Sequence, residues 1–284
     1  MKPIVTVLMT VYNGKNYLNE AIESVFCQTL NNYEFLIVDD ASTDNSIEII
    51  NSYKDSRIKL LKNRENIGQT ASLNKGLAIA QGKYIARLDQ DDICLPKRLE
   101  EQVAFFKKNP SISILCSREY SIDKQGNRIG VWKRDLNNYG AFLGYIVLGL
   151  NPIWTTSVMC VKDVFLQLGD FDISYGTASD FEYWSRIALK RLNAKVVPEF
   201  HQLRRIHDQS QSNLMVDEQS QATKRALSNV ITYFLDKEDN RDLLSALLLE
   251  NFKISKFNKK DFLVVSKKIN ALIENISLKQ NLNK

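Results

Sequence analysis

The chain of 284 residues carries 38 Lys and Arg against 33 Asp and Glu, a net charge of +5, with 44% apolar and 25% charged residues. That balance excludes a disordered, collagen-like or small disulfide-stapled chain, and the length suffices for one large core. The four cysteines, Cys27, Cys94, Cys116 and Cys160, form no C-x-x-C pair and the two histidines are His201 and His207, which excludes a zinc finger or H-E-x-x-H site and predicts free thiols in a reducing compartment.

Ile4 to Met9 is a continuous β-rich run leading into a polar turn at Asn13 and Gly14. It lacks the h-region and cleavage site of a signal peptide, so a cytoplasmic protein is expected. Tyr17, Leu18, Ala21, Ile22, Val25 and Phe26 recur at spacings of three and four, which predicts a helix. Glu34 to Val38 reads as a second buried strand, followed by the acidic break Asp39 to Asp44 and a helix over 45–53 capped by Asp44. The unit repeats as a strand over 58–61, a loop over 63–69, a helix over 70–80 closed by Gly82 and a strand over 84–88. Such alternation predicts an α/β fold with a mostly parallel sheet flanked by helices and ligands at the carboxyl ends of its strands.

Beyond Asp92 the pattern predicts a helix over 96–108, a strand over 112–116, a turn at Gly126-Asn127 and a polar stretch to Tyr139. The longest apolar run, 141–150, holds two glycines and stops at Pro152, short of the ~20 residues that span a bilayer. A strand over 154–160, a helix over 181–189 and a strand over 195–197 before Pro198 follow. Past His207 the chain is polar to Gln221 and then helical, which places a boundary near 215 between a first domain, 1–215, and a helical, basic C-terminal extension, 216–284. Residues 251–284 hold eight lysines against Asp261 and Glu274, so the excess of positive charge belongs to this tail. Its apolar stripe from Phe262 to Ile276 has helical spacing, and it either packs on the rest of the chain or draws the protein to an anionic membrane surface.

Asp89-Gln90-Asp91-Asp92 follows directly on a predicted strand. Crowded carboxylates repel unless a cation is shared, and hard oxygen ligands favour magnesium or manganese; an Asp-rich turn capping the next helix fits the same residues. Asp39 and Asp40 form a second acidic strand end. Neither G-x-G-x-x-G nor G-x-x-x-x-G-K-[ST] occurs, so a phosphate binder here needs a metal rather than a glycine cradle.

Taken together, Val7 to Gly14, Glu20 to Val25, Gln28-Thr29, Val38 to Asp44, Asn66 to Gly68, Asn74 to Gly76, Tyr84 to Asp92 and Pro96-x-Arg98-Leu99 resemble the family 2 glycosyltransferases of the GT-A fold, of the kind that builds bacterial surface polysaccharides. Thr156 to Met159, Leu168 to Asp172, Ala178 to Trp184 and Arg205 to Ser210 continue the likeness, which covers about residues 3 to 213.

The resemblance implies an inverting, metal-dependent transferase that moves a sugar from a nucleoside diphosphate, UDP being the expected one, to a saccharide acceptor, lipid-linked in one version of this reading. No nucleic-acid partner is expected. Tyr12 would stack on the base and Asp40 would bond it, with Thr10 and Asn66 beside them. Asp89 would reach the ribose or a metal-bound water, and Asp91 with His207 would hold Mn2+ or Mg2+ on the diphosphate. Asp180 matches the family's base, although its place before Phe181 also suits an N-cap. Trp154, where relatives often carry histidine, and Asp92 would line the acceptor side, Trp154 stacking on a sugar or belonging to the core. A sugar nucleotidyltransferase would need a glycine-rich basic loop in place of Thr10 to Gly14, and a silent nucleotide-sugar-binding module predicts loss of the base or the metal acid.

Overall fold

The computed structural model describes residues 2–134, 136, 139–147, 149–208, 210 and 215–234. The tail stripe and the lysine-rich segment lie outside the described residues.

Strand β1 (Val5–Val11) is flanked by β2 (Tyr33–Asp39) and β4 (Tyr84–Arg87), with β3 (Ile58–Lys62) outside β2, all parallel. Helices α1 (Leu18–Phe26), α2 (Ser46–Ser52) and α3 (Gln69–Ile79) make the crossovers. Every position of β1 and β2 is buried, as expected of strands covered on both faces. Their side chains alternate between two cores: Leu8 joins Leu36, Leu73 and Leu77 on the α3 side, while Val7 and Met9 join Ile22 and Val25 under α1. Gly76 lets α3 lie close on β1, since a Cβ there would come within 2.4 Å of Leu8 Cδ1.

The second half turns the sheet mixed. Strand β8 (Met159–Val161) runs antiparallel to β4 and to β6 (Ile114–Ile122), which pairs in parallel with β9 (Ala194–Arg205). β5 (Ile93–Cys94) and β7 (Arg128–Trp132) are added antiparallel to β9 and β6. The order is thus β3-β2-β1-β4-β8-β6-β9-β5, with β7 on β6. Helices α4 (Arg98–Lys108), α5 (Tyr139–Val147), α6 (Asp163–Leu168) and α7 (Ser179–Leu189) cover it.

Expectations change in the second half. The segment 154–160 begins as a 3-10 turn, Thr155–Ser157, before the short β8. The strand expected to stop before Pro198 continues to Arg205: Val197 faces Ser117 and Phe200 faces Arg118, so Pro198, which has no N–H to donate, bulges out with Glu199. The apolar run 141–150 contributes α5, whose Phe142 and Ile146 are buried in the core. Past position 215, α8 (Val216–Phe234) packs on that core through Ala226, Leu227 and Val230. Among the described residues no helix is long and apolar enough to cross a membrane.

Arg98, fully buried under the sheet, donates to the carbonyls of Arg87 (2.7 Å) and Val158 (3.2 Å) and to Gln202 Oε1 (2.7 Å). It joins β4, β9 and the turn before β8 and forms no ion pair among the described residues. Arg98→Met keeps the volume but strands those buried acceptors, and a loss of about 3–5 kcal/mol in unfolding free energy is expected, read as a lower urea midpoint with unchanged slope.

Candidate active site

The site gathers where β1, β2 and β4 end. After β1 the chain turns through Tyr12, Asn13 and Gly14, with Asn13 in the left-handed region at φ 52°. Asn13 Oδ1 accepts from Thr43 N (2.8 Å), Ser42 Oγ from Asn13 N (3.0 Å) and Ser46 Oγ from Gly14 N (2.9 Å), zipping this turn to the loop after β2. Asp44, expected as the cap of α2, accepts from Ser46 N (3.0 Å) and also from Lys15 N (3.1 Å). Ala41, at φ 60°, holds a strained non-glycine conformation at the heart of that loop.

Gln90, the middle residue of the acidic run, is the structural key that sequence reading passed over. Its side-chain amide accepts from Tyr12 N (2.9 Å) and donates to Tyr12 O (3.1 Å). The backbone under the exposed Tyr12 ring is thereby fixed to the acidic run. Gly14 leaves room for this clamp, because a Cβ there would stand 2.5 Å from Gln90 Oε1.

Asp40 is buried and fully engaged: Oδ1 accepts from Asn63 Nδ2 and Ile67 N, both at 2.9 Å, and Oδ2 from Gly68 N at 2.8 Å. It organises the loop 63–68 and has less freedom to reach a base than expected. Asn66 is exposed at the rim of that loop and accepts from Gly68 N (3.2 Å), while Thr10 is buried on β1.

Along the acidic run the four residues part company. Asp89 pairs with Arg87 at 3.2 Å. Asp91 Oδ2 lies 2.7 Å from His207 Nε2, so the structure brings these two together across 116 residues. Among the described residues no group of three or more His, Cys, Asp and Glu forms a metal cluster. Asp92 is corrected: it is buried rather than open to an acceptor, and its Oδ1 accepts from Arg205 N (2.9 Å). Burial and the neighbouring Asp91 and Asp89 push its carboxyl well above the usual range. Arg205 completes the junction, donating to Asp91 O (3.1 Å), pairing with Glu20 (2.8 Å) and lying over the Tyr17 ring, which in turn packs on the His207 ring 5.1 Å away. The end of β9, the acidic run and the start of α1 are locked together this way.

Asp180 sits in the first turn of α7, one residue inside the helix rather than at its cap. Oδ2 accepts from Asn151 Nδ2 (2.9 Å) and Oδ1 from Phe181 N (2.7 Å). Burial raises its pKa, and the positive charge of Arg87 works against that rise. Arg87 is thus a cation shared by Asp89 of the acidic run and by Asp180. Trp154 lies in the same loop as Asn151, its ring under the Arg204 guanidinium at 4.5 Å and 6.0 Å from the Trp132 ring. The neighbouring Thr156 Oγ1 donates to the buried Glu119 (2.8 Å).

Residues 6–160, more than half the chain, match the model of glycosyl transferase family 2, and the chain belongs to that family. It is 32% identical over 270 residues to an uncharacterized glycosyltransferase of Haemophilus influenzae, covering 90% of this chain and 83% of that one. It is also 32% identical to the Escherichia coli UDP-Glc:alpha-D-GlcNAc-diphosphoundecaprenol beta-1,3-glucosyltransferase WfaP, over 68% of this chain and 73% of WfaP. Among solved structures, Staphylococcus aureus TarS 1-349 in complex with UDP-GlcNAc superposes with a TM-score of 0.66 at 16% identity, covering 97% of this chain and 82% of that one. The fold is GT-A and the protein is a glycosyltransferase.

Proposed function

We propose that the protein is an inverting transferase that moves a sugar from a UDP-sugar to a saccharide acceptor in cell-surface polysaccharide or lipooligosaccharide synthesis, with Mn2+ or Mg2+ on the diphosphate. The observation that carries this reading is the junction at the strand ends, where Gln90 ties the exposed Tyr12 platform to an acidic run whose Asp91 faces His207. WfaP's UDP-glucose donor and the UDP-GlcNAc seen with TarS support UDP.

One carboxylate oxygen and one imidazole nitrogen side by side make a donor pair, Asp91 with His207, that would hold Mn2+ or Mg2+. Such an ion would supply charge stabilisation for the leaving diphosphate. The chain's own residues do the rest. Tyr12 offers its exposed ring to the base, Asp89 reaches the ribose or a metal-bound water, and Asp180 receives the acceptor's hydroxyl proton as that oxygen attacks the anomeric carbon. The bond from that carbon to the diphosphate oxygen breaks with its electron pair leaving on the diphosphate, so the sugar is inverted in one displacement.

The direct test is to add a panel of nucleotide sugars with manganese to the purified protein, reading thermal stabilisation and hydrolysis. A UDP-sugar should give the largest response; a response confined to GDP-, CMP- or dTDP-sugars would overturn the donor assignment. Gly14→Ala probes the clamp. The added methyl meets only the end of the flexible Gln90 side chain, so the melting temperature should barely move. Displacing that amide frees Tyr12, and UDP affinity should fall roughly tenfold, the worth of about one or two hydrogen bonds. Unaltered UDP affinity would detach Gln90 from nucleotide binding.

A further inference from the structure

The loop that carries Asn151, the partner of Asp180, also carries Trp154, one member of an alternating stack of cations and aromatic rings. Arg204 lies 4.5 Å from the Trp154 ring centre, Trp154 lies 6.0 Å from Trp132, and Arg134 lies 5.8 Å from Trp132 and 4.2 Å from Tyr145. Two guanidiniums offer five N–H donors each, and an aromatic face under such a group fixes its plane without satisfying those donors. Among the described residues neither Arg134 nor Arg204 makes an ion pair or a side-chain hydrogen bond. Arg134 Nη1 and Trp154 Nε1 are buried with no partner. Glu119 feels the charge of Arg204, but its hydrogen bond goes to Thr156 and its Oε2 is left unpaired. The wall is therefore rich in positive charge and in donors that lack acceptors, a condition that native proteins seldom leave unused.

We infer that Trp132, Trp154, Arg134 and Arg204 bind a phosphate or diphosphate ester carried by the acceptor, holding the adjoining sugar toward Asp180. Oriented guanidinium forks match phosphate oxygens bidentately, and the indole faces suit the sugar ring or the ester's apolar arm. Asn151, which bonds Asp180, is three residues from Trp154 in one loop, so an acceptor gripped at the wall is presented to the base. The inference rests on the transferase reading and narrows its acceptor to an anionic one.

Fluorescence tests it without knowledge of the sugar, because two of the three tryptophans stand in the wall and the third, Trp184, is buried in the core. With UDP and manganese saturating, so that the donor site is filled, the full chain is titrated with geranyl diphosphate, geraniol and inorganic pyrophosphate. Geranyl diphosphate should quench the emission saturably, at least tenfold more tightly than either control, and more weakly as salt is raised. Arg134→Gln with Arg204→Gln should abolish that quench while UDP still raises the melting temperature. The salt dependence of the intact chain supplies a second readout should the double variant fold poorly. Equal binding of pyrophosphate would make this a free-phosphate site and overturn the acceptor assignment. An absent quench, or one that the double variant retains, would overturn the site itself. Failure of UDP to stabilise the wild-type chain would instead strike at the transferase reading beneath it.

Discussion

Asp180→Asn is expected to lower turnover by on the order of 10²- to 10⁴-fold, with UDP still raising the melting temperature as in the wild type. The size of the loss follows from the proposed single displacement, in which one base must take the proton and no enzyme nucleophile can substitute. The fold should survive. Asn151 Oδ1 is buried without a partner and can accept the new amide N–H, while the remaining oxygen serves Phe181 N. Because burial raises the pKa of Asp180 in the folded chain, the native state binds its proton more tightly than the unfolded one does. Wild-type stability therefore falls as pH rises from the ordinary carboxylate range through the raised folded value, and it stays lower above that value. Asparagine carries no such dependence, so the variant should melt at or above the wild-type temperature at neutral pH, the gap closing on acidification. For the same reason the acid limb of kcat/KM should lie above the usual carboxylate range. An early-melting variant with near-normal specific activity would reduce Asp180 to a helix-terminus residue.

How much of this was legible in the sequence depends on the range over which each feature is encoded. The β1-to-β4 half is written locally, as apolar runs of strand length followed by polar turns, and it formed as expected within a residue or two. Pro198 misled because a proline usually ends a strand, yet a bulge opposite Ser117 and Arg118 absorbs it, and that bulge is a property of the partner strand. The acids at the strand ends and His207 stood out by type and order. Gln90 did not, since an amide between two aspartates reads as filler until its distance to Tyr12 is known. Asp92 looked like a third member of an acidic site, and only the long-range approach of Arg205 shows it as a strut. Of the cation and aromatic wall only Trp154 was legible, because its partners Trp132, Arg134 and Arg204 reach it from other segments of the chain.

The pairing of Asp91 with His207 leads to the last expectation. Their contact at 2.7 Å is a hydrogen bond that a divalent ion would replace, with both side chains partly open to solvent at 23% and 10%. Excess chelator should abolish transfer, and manganese should restore it. Asp91→Asn should lower kcat/KM by more than about 10²-fold and weaken UDP binding as well, since the proposed ion would contribute to donor affinity and to leaving-group departure. His207→Ala keeps the carboxylate and loses one donor, so the manganese concentration for half-maximal activity should rise by at least about tenfold while activity at saturating metal is partly retained. Manganese EPR of the complex with UDP separates this from a purely structural role: both variants should leave more free ion than the wild type at equal total metal. Tight manganese binding by the Asp91→Asn variant, or full activity in excess chelator, would place the metal elsewhere and leave the Asp91–His207 contact as one more tie between β9 and the acidic run.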